Sequence, residues 1–470
     1  MGLTLEDYVQ SIKEKRIAII GIGVSNMPLI ELLLKNNCKI TVCDKHSEAE
    51  LGAEAERLRA LGAELKLGAD HLEGLDQDII FRSPSLMPFE KHLAEAKEKG
   101  SVITTEVEVF MSLCPCRIIA VTGSDGKTTT STIISELLRE EGYTVHLGGN
   151  IGHPLLCETP EIKCDDIAVL ELSSFQLHSM TCKPDVAVIT NISPNHLDKH
   201  LDFQDYIDAK KEIFANQDAS GKLILKYDDP YSEYYASSAK GEVSYFSDKA
   251  EILNGTELSG GMIYRVKDGV RTALIPAEVI RLPGAHNLLN YLAAFAAVDG
   301  MVSNEVCDRV ARNFAGVEHR LEHVREFNGV LYINDSIGTS PTRKAAGLHA
   351  LKTKPIVIAG GYDKLVPFDS LGDDLCLYAK RVFLTGDTAE KIRAAIVNSR
   401  YYGDSGLEIS MIDDFRAAVL AAASSAEEGD IVLLSPACAA FDRFKNFAER
   451  GKYFKEIVMG LDNEDFGHKN

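Results

Sequence analysis

A lysine that follows two closely spaced glycines is the feature of the sequence with the most direct chemical meaning. Gly123, Gly126 and Lys127 lie in a turn between an apolar run and a stretch with helical spacing, all within residues 117–138. In such a strand, turn and helix, backbone N–H groups and the helix N-terminus face phosphate oxygens, and the lysine reaches the outer phosphates. The hydroxyl of Thr128 can bind a phosphate-bound Mg²⁺. The segment predicts a nucleoside triphosphate site, with an ordinary lysine-bearing turn as the alternative.

Two polar side chains follow other apolar runs of the same region. Glu171 comes directly after the run 167–170, and His196 follows the run 184–190. Because parallel strands present their carboxyl ends at one edge of a sheet, both side chains are expected near the glycine turn. A carboxylate at the end of a core strand needs a partner, and we interpret Glu171 as a Mg²⁺ ligand. A solvated strand-end acid and a structural histidine are the alternatives.

A third candidate is a lysine on the apolar side of a predicted helix over 203–217. Lys210 shares a face with Tyr206 and Ile213, whereas Lys211 is turned about 100° away toward solvent. An inward-facing lysine either extends along apolar surface toward water or places its amine at the metal site. The residues alone leave both interpretations open.

The first third of the chain contains a second strand, glycine turn and helix. Gly21 and Gly23 follow an apolar run, and Asp44 ends the next one. This pattern is typical of a dinucleotide-binding βαβ unit, except that Asn26 occupies the position of the third glycine, which places the tight helix-to-strand packing in question. A nucleotide-sugar diphosphate needs the same turn and a carboxylate for sugar hydroxyls. Nucleotide binding and a purely structural turn both fit the pattern.

Composition limits the partners and the location of the protein. The 470 residues carry a formal net charge of −20, which argues against nucleic acid or an acidic membrane surface as a partner. Ten cysteines are scattered, and the close pair Cys114 and Cys116 lacks the C-x-x-C spacing, so we interpret all of them as reduced thiols. Because no signal peptide and no apolar run of about 20 residues is found, a cytoplasmic protein without membrane contact is expected.

The expected fold class is α/β in three domains. Apolar runs alternate with helical stretches along the whole chain, and three runs of the last third each finish in a polar turn. We predict a Rossmann-like nucleotide-binding domain over 1–110 and a central P-loop ATPase-type domain over 111–317. A second Rossmann-like domain with a parallel sheet is predicted over 318–470.

Several motifs, taken in order, resemble those of one enzyme family. They are GSDGKTTT from Gly123, GGNIG from Gly148, ELSSFQL from Glu171, NHLD around His196, the pair Ala209 and Lys210, and GAHNLLN from Gly284. This order resembles that of the Mur ligases, ATP-dependent enzymes that extend the peptide of the cell-wall precursor. The likeness covers all three thirds of the chain and is strongest to the D-glutamate-adding type.

The resemblance implies a role for each matching position. In this family the lysine that matches Lys210 is carbamylated by CO₂ and then helps to bind a second Mg²⁺, which requires the lowered pKa of a buried amine. The implied catalytic residues are Lys127, Glu171, His196 and Lys210. The implied metal ligands are Thr128, Glu171, His196 and Lys210. The implied nucleotide contacts are Gly123, Ser124, Asp125, Gly126, Lys127, Thr128, Thr129, Asn287, Asn290, Arg320 and Asp335.

The resemblance also implies where the two other substrates bind. The implied contacts of a UDP-sugar peptide are Gly23, Ser25, Asp44, Ser83, Asn150, Ser173 and Gln176. The implied contacts of D-glutamate are Thr339, Lys364, Ala440, Phe441 and Phe447. Lys364 would pair with a carboxylate of the amino acid, and a solvated surface lysine is the alternative. The first domain would thus hold the UDP sugar, and the last would hold the amino acid.

The reaction implied by the resemblance is ATP-dependent addition of D-glutamate to UDP-N-acetylmuramoyl-L-alanine through an acyl phosphate. ATP and two Mg²⁺ ions are the expected cofactors, with Mn²⁺ as a substitute, and a monomer is expected. Amide ligases that add L-alanine, a diamino acid or glutamate to folate are the nearest alternatives. The sequence GGYDK in place of a DNPR-type motif weighs against the diamino-acid ligase, and the Gly-x-Gly start of the chain weighs against the folate ligase. A dinucleotide-binding oxidoreductase or regulatory module would leave Glu171 and Lys210 without a role.

Four positions depart from the expected patterns. Ile337 stands where better-known D-glutamate-adding members have lysine, which removes a cation, and Ala440 replaces a serine, which leaves only backbone N–H groups. Either change could alter the amino-acid contacts, with Arg343 in a compensating role. Val121 stands where a full Walker motif has glycine, and this shortened form favours the ligase group over motor and transport NTPases. Asp125, where many relatives have asparagine, has no explanation from the sequence.

Overall fold

Three parallel-rich β-sheets, interleaved with helices along the chain, organise the structure. This computed structural model describes residues 3–23, 25–84, 86–194, 199–282, 284–338, 348, 351, 353–363 and 367–462. The chain divides into two compact units, Met1–Phe314 and Ala315–Asn470. The predicted α/β class is confirmed. Among the described residues, every helix is too short or too polar to cross a bilayer.

The first sheet has five parallel strands in the order β3-β2-β1-β4-β5. Its strands are β1 Ile17–Ile20, β2 Ile40–Asp44, β3 Glu64–Leu67, β4 Ile79–Phe81 and β5 Val102–Thr104. The helices of this part are α1 Leu5–Ile12, α2 Met27–Lys35, α3 Glu48–Leu51, α4 Ala53–Ala60, α5 Lys91–Glu98 and α6 Glu106–Leu113. The strand order changes direction between β1 and β4, and open α/β sheets bind ligands at such a point. Gly21 and Ser83 lie in the loops that follow these two strands, at one edge of the sheet, and the predicted βαβ unit is confirmed.

The second sheet has nine strands in the order β14-β13-β12-β11-β10-β9-β6-β8-β7. Its strands are β6 Arg117–Thr122, β7 Val145–Gly149, β8 Ile167–Glu171, β9 Val186–Ile189, β10 Lys222–Lys226, β11 Glu242–Ser247, β12 Gly255–Ser259, β13 Met262–Lys267 and β14 Val270–Pro276. Its helices are α7 Lys127–Glu141, α8 Ser174–Leu177, α9 Phe203–Ala215, α10 Ser232–Ala236, α11 Ala285–Ala297 and α12 Asn304–Asn313. The strands from β7 to β12 are parallel, and β12 to β14 form an antiparallel extension that the sequence analysis did not predict. Because β6 lies between β8 and β9, the ends of all three strands meet at one edge.

Strand β6 is buried on both faces, as expected for the centre of a parallel sheet. Ile119 and Val121 pack into a cluster with α7 and α11, whereas Ile118 and Ala120 pack into a cluster with α9. The latter cluster also contains α2 and α6, so the first two sheets share one apolar core. This shared core explains why residues up to Phe314 form one unit.

The third sheet has six strands in the order β15-β16-β20-β17-β18-β19. Its strands are β15 Glu322–Phe327, β16 Val330–Asn334, β17 Ile356–Ala359, β18 Arg381–Leu384, β19 Glu408–Met411 and β20 Ile431–Leu434. Its helices are α13 Asp369–Tyr378, α14 Ala389–Asn398, α15 Tyr402–Ser405, α16 Phe415–Ser425 and α17 Phe447–Met459. The predicted parallel sheet is confirmed except at the β15 edge, which pairs antiparallel with β16. The connecting residues Asn328 and Gly329 have φ of 51° and 72°, the backbone that an Asn-Gly hairpin turn needs.

Candidate active site

The glycine turn between β6 and α7 accepts only glycine at two positions. Gly123 has a φ of 147°, and a Cβ atom there would lie 1.9 Å from Thr190 Oγ1. Gly126 has a φ of 79°, and its Cβ atom would lie 2.3 Å from Asn290 Oδ1. Helix α7 begins after Gly126 without a side-chain cap and without an acid in its first turn. Its first N–H groups and the positive end of its dipole therefore face the site without an anionic cap.

Two lysine amines meet on one carbonyl oxygen of this turn. Lys127 Nζ donates to the carbonyl oxygens of Gly123 at 2.9 Å and Ser124 at 3.1 Å. Lys210 Nζ donates to the same Gly123 oxygen at 2.7 Å and lies 4.6 Å from the centre of the Tyr206 ring. The amine of Lys210 thus lies at the glycine turn rather than in water. The two amines thus lie side by side at the end of β6.

Lys210 is only 1% exposed, although it carries an ionisable amine. Burial, followed by the nearby charge of Lys127, holds the pKa of the Lys210 amine well below its ordinary value. Tyr206 shares its buried face, as predicted, whereas Lys211 is half-buried with its amine 4.9 Å from the Tyr234 ring rather than fully in solvent. A buried, neutral amine is the form of lysine that can act as a nucleophile.

Glu171 ends β8 inside the protein and is 1% exposed. Its Oε1 atom accepts a hydrogen bond from Asn150 Nδ2 at 2.7 Å, while Oε2 is buried without a hydrogen-bond partner among the described residues. The alternative of a solvated strand-end acid is therefore wrong. A buried carboxylate oxygen with no donor is costly, and a cation is the partner that would offset that cost. Gly149 allows the end of β7 to pack closely against Glu171, because a Cβ there would lie 2.2 Å from the Glu171 carbonyl oxygen.

The other predicted nucleotide contacts of this unit differ in how open they are. Ser124 and Thr129 are buried, whereas Asp125 is exposed and Thr128 is half-buried. Ser124 Oγ donates to the backbone carbonyl of Ser193 at 2.9 Å, so this side chain ties the glycine turn to the loop after β9. Asn290 lies under the glycine turn and receives a hydrogen bond from Thr130 at 3.3 Å.

Helix α11 brings Asn287 and Asn290 together at its first turns. Asn290 Nδ2 donates to Asn287 Oδ1 at 3.3 Å, and both residues are buried. Because Asn290 also packs against Gly126, the pair lies at the base of the glycine turn. The structure thus places both predicted base contacts next to the predicted phosphate site.

The glycine turn after β1 carries an acid. Asp44 Oδ2 accepts from the Ile22 N–H at 2.7 Å, and Asp44 Oδ1 accepts from the backbone N–H of His46 at 2.9 Å. Burial raises the pKa of Asp44, but these hydrogen bonds outweigh it and hold the pKa below its ordinary value. Asn26 replaces the missing third glycine, because its side-chain amide donates to the Ile20 carbonyl at 2.9 Å and closes the turn. The helix-to-strand packing that the sequence placed in question is therefore maintained by a side chain.

The first two sheets line a cleft that contains two of the predicted substrate contacts, Ser25 and Gln176. The lining includes Ser25, Asn26, Arg82, Glu106, Gly149 and Gln176. Gln176 belongs to a capping box at the start of α8, where Ser173 Oγ donates to Gln176 Oε1 at 2.9 Å. Gly23 is exposed and Ser83 is half-buried at the same sheet edge. The structure thus brings Ser25 and Gln176 together, as an extended ligand would require.

The predicted D-glutamate contacts in the second unit are only partly described. Thr339, Lys364 and the compensating Arg343 lie outside the described residues, as does His196 of the first unit. Ala440 is buried, Phe441 is 62% exposed, and Phe447 begins α17. Ile337 is half-buried, with its N–H bonded to the carbonyl of His319 at 3.1 Å.

The predicted nucleotide contacts of the second unit lie close together. The N–H of Leu321, next to Arg320, donates to Asp335 Oδ1 at 3.3 Å. Arg320 is exposed, whereas Asp335 is buried at the end of β16. The arrangement leaves the guanidinium group at the surface of this unit.

Two buried arginines were missed by the sequence analysis. Arg82 donates to the carbonyl oxygens of Leu86, Phe175 and His178, and it thereby ties the first sheet to α8. Arg450 donates to the carbonyl oxygens of residues 336, 438 and 439 in the second unit, beside Ala440. Burial lowers the pKa of each guanidinium to about 10. No sequence signal marks either residue, because their partners are backbone atoms of distant segments.

Family models and full-length relatives match this chain to the same group of proteins. The model of the Mur ligase middle domain matches residues 121–298, and that of the Mur ligase glutamate ligase domain matches 319–438. UDP-N-acetylmuramoylalanine–D-glutamate ligases of Acetivibrio thermocellus and Ruminiclostridium cellulolyticum are 46% and 45% identical, each over 98% of this chain and 100% of the relative. Among solved structures, MurF from Acinetobacter baumannii has a TM-score of 0.57 at 17% identity and covers 98% of this chain and 99% of its own. The UDP-N-acetylmuramate–alanine ligase of Thermotoga maritima has a TM-score of 0.55 at 17% identity and covers 95% and 99%.

Proposed function

This chain belongs to the Mur ligase family, and from that premise we propose that it is an ATP-dependent ligase that joins D-glutamate to UDP-N-acetylmuramoyl-L-alanine in peptidoglycan precursor synthesis. Relatives with that activity in their names support the choice of substrates, since they match the chain from end to end. One observation carries the chemistry: the Oε2 atom of Glu171, which has no hydrogen-bond partner among the described residues, lies with the amines of Lys127 and Lys210 at the sheet edge beside the glycine turn.

The glycine turn would hold the phosphates of ATP. The substrate carboxylate and the triphosphate are both anions, so cationic groups are needed to bring them together and to stabilise the transferring phosphoryl group. Lys127 supplies a fixed positive charge there, and the first N–H groups of α7 supply oriented dipoles. Asn287 and Asn290 would contact the base, and Arg320 and Asp335 are the further proposed nucleotide contacts.

The buried carboxylate of Glu171 fits a Mg²⁺ site, because one of its oxygens has no donor among the described residues and Mg²⁺ prefers oxygen ligands. The proposed ligands of two Mg²⁺ ions, with Mn²⁺ as a substitute, are Thr128, Glu171, His196 and Lys210. When bound, the ions would offset the charge of the phosphates. Lys210 would become a ligand after its neutral amine attacks CO₂ and loses a proton, which leaves a carbamate.

The reaction would then proceed in two displacement steps. A carboxylate oxygen of the UDP-sugar peptide attacks the γ-phosphorus of ATP, forms an acyl phosphate and releases ADP. The amine of D-glutamate next attacks the acyl carbon, forms the amide bond, loses a proton and releases phosphate. The site must exclude water from the acyl phosphate during this interval.

Three domains would divide the three substrates among them. The UDP sugar would lie on 1–110, ATP on 111–317 and D-glutamate on 318–470, where Thr339, Lys364, Ala440, Phe441 and Phe447 are the proposed contacts. We propose that the enzyme acts as a cytoplasmic monomer on these small molecules, without nucleic acid or membrane.

A phosphate-release assay tests the proposed function. Release from ATP should require both UDP-N-acetylmuramoyl-L-alanine and D-glutamate. Equal turnover with L-alanine or diaminopimelate in place of D-glutamate would overturn the acceptor assignment. Tight NAD(P)H binding with no response to UDP sugar would instead favour a dinucleotide-binding protein.

A further inference from the structure

Four side chains outside the proposed ligand set form a continuous hydrogen-bonded chain. His178 Nε2 lies 2.8 Å from Asp205 Oδ1, and His200 Nδ1 lies 2.8 Å from Asp205 Oδ2. The other ring nitrogen of His200, Nε2, lies 2.9 Å from Ser174 Oγ. The side chain of His200 is fully buried, so both of its ring nitrogens depend on these protein partners.

The chain joins three segments that carry proposed metal ligands. Ser174 begins α8 three residues after Glu171, and Asp205 lies in the first turn of α9, the helix of Lys210. His200 lies between His196 and α9 along the sequence. The three segments are loops and helix ends, so a side chain that binds two of them restricts how they can move apart.

The His200 ring also makes contacts that lead to the glycine turn. It stacks on Phe175 with ring centres 5.5 Å apart and meets Tyr206 edge-on at 5.2 Å. The hydroxyl of Tyr206 shares a hydrogen bond with Ser124 Oγ at 2.9 Å, and its ring lies 4.6 Å from the amine of Lys210. Displacement of His200 would therefore disturb the aromatic ring that supports Lys210.

We infer that His200 is a positioning residue of the ligase site, which holds α8 to the N-terminus of α9 and so fixes the Glu171 carboxylate relative to Lys210. This inference rests on the proposed function. His200 touches no substrate and no reacting atom in this account, because its two nitrogens are engaged by Asp205 and Ser174.

The directions of the hydrogen bonds follow from the partners. A carboxylate can only accept, so His200 Nδ1 carries the proton that is shared with Asp205. Burial, opposed by Asp205, keeps the pKa of His200 below its ordinary value, and the neutral ring then accepts at Nε2 from the Ser174 hydroxyl. Both hydrogen bonds of His200 thus have one fixed direction, as a rigid connection between the segments requires.

A transition-metal site is the other use that two histidines and an aspartate could have, and their ligand atoms lie within 4.8 Å of one another. The geometry favours the hydrogen-bonded chain. Bonds of about 2.0 Å to a tetrahedral Zn²⁺ would hold ligand atoms roughly 3.3 Å apart. The observed separations of 2.8 Å, with each nitrogen on a different Asp205 oxygen, are those of hydrogen bonds.

The test compares His200→Ala and Ser174→Ala with His146→Ala in the full-length enzyme. His146 is a matched control, because its Nε2 also bonds a buried aspartate, Asp166, at 2.9 Å, but at the opposite end of β7 from the site. Phosphate release should fall about 100-fold in kcat for His200→Ala and about 5-fold for Ser174→Ala. The KM for UDP-N-acetylmuramoyl-L-alanine should change less than 3-fold, and the Mg²⁺ concentration for half-maximal rate should rise.

The double variant of His200 and Ser174 should lose no more activity than His200→Ala alone, since both changes remove the same connection. Ser174→Ala removes only a hydroxyl, so its effect remains measurable if His200→Ala fails to fold. Wild-type kcat in the Ser174→Ala variant, a defect confined to KM, or additive losses would overturn the inference. Stoichiometric Zn²⁺ binding in calorimetry that is lost in His178→Ala would overturn it in favour of a cation site. An inactive wild-type enzyme would instead refute the proposed function.

Discussion

The two glycine turns of this chain each join a strand to a helix but carry opposite charges. After β1, the carboxylate of Asp44 accepts from the backbone N–H of Ile22, and the turn is closed by the side chain of Asn26. After β6, the amines of Lys127 and Lys210 both donate to the carbonyl of one turn residue. An anionic side chain therefore lies at the first turn, whereas the second has the cationic side chain of Lys127 beside the buried, neutral amine of Lys210.

A glycine turn therefore identifies a backbone shape rather than a ligand. A carboxylate beside the first turn suits sugar hydroxyl groups, which donate to it, and leaves fewer free N–H groups for phosphate. The cationic amine of Lys127 beside the second turn suits a triphosphate, whose charge it offsets. Substitutions at each turn test whether the two turns keep these separate tasks.

Removal of the turn lysine should have the largest effect. Lys127→Ala should lower the rate of phosphate release by about 10³-fold or more, because a preorganised charge at the transferring phosphoryl group is lost. Binding of UDP-N-acetylmuramoyl-L-alanine, measured by calorimetry, should be unchanged. Lys211→Ala is the control, since this lysine packs on Tyr234 away from the turn. A Lys127→Ala enzyme with more than a tenth of wild-type activity would contradict the assignment of the second turn to ATP.

Removal of the buried lysine should have the next largest effect. Lys210→Ala should lose about 100-fold in rate and regain part of it with a short-chain carboxylate, which would occupy the space of the carbamate and supply its negative charge. The same carboxylate should not stimulate Lys127→Ala, whose missing group is a cation. Full activity of Lys210→Ala, or a loss that no carboxylate restores, would contradict the carbamate.

The positions around the second turn could be predicted from the sequence because most of them follow strand ends. Lys127 and Glu171 each follow an apolar run, and parallel strands bring such positions together by topology alone. Lys210 was found because helical spacing placed it on an apolar face. Local pattern and sheet order thus determine these three positions.

The remaining features depend on contacts that no local pattern records. Arg82 bonds to carbonyl oxygens 93 to 96 residues further along the chain, and any residue type could supply a carbonyl. The His200 chain likewise joins three separate segments. Asn26 substitutes for a glycine through a hydrogen bond that depends on its rotamer. Asn328 and Gly329, in contrast, were a readable hairpin signal that the sequence analysis did not use.

Glycine substitutions separate the backbone demands of the two turns. Gly126→Ala should lower the free energy of unfolding by about 2–4 kcal/mol, because its positive φ disfavours alanine and the new Cβ would overlap Asn290. Gly23→Ala should leave thermal stability unchanged, since nothing lies within 4 Å of its Cβ position. It should still raise the KM for the UDP substrate, because a methyl group would keep the ligand from the turn. An unchanged KM would remove Gly23 from the proposed contacts.

The smallest expected effect concerns the acid of the first turn. Asp44→Asn should lower the free energy of unfolding at pH 7 by about 1–2 kcal/mol, because one amide cannot accept from both the Ile22 and His46 N–H groups. It should also raise the KM for UDP-N-acetylmuramoyl-L-alanine about 5-fold and leave kcat within 2-fold. Lys127→Ala is expected to lower the rate of phosphate release and to leave the binding of this substrate unchanged. The two variants together therefore assign one substrate to each turn.

The pH dependence of stability distinguishes the charge of Asp44 from its shape. Its pKa is lower in the folded protein than the ordinary value of 3.8, so its stabilising contribution is present above 3.8 and is lost as the pH falls through the folded-state pKa. Asparagine does not titrate, and the stability difference between wild type and Asp44→Asn should therefore shrink as the pH is lowered from 5 toward 2. A difference that stays constant over this range in denaturant titrations would mean that the carboxylate charge does not hold the first turn. The charge of Asp44 would then not be what distinguishes the first glycine turn from the second.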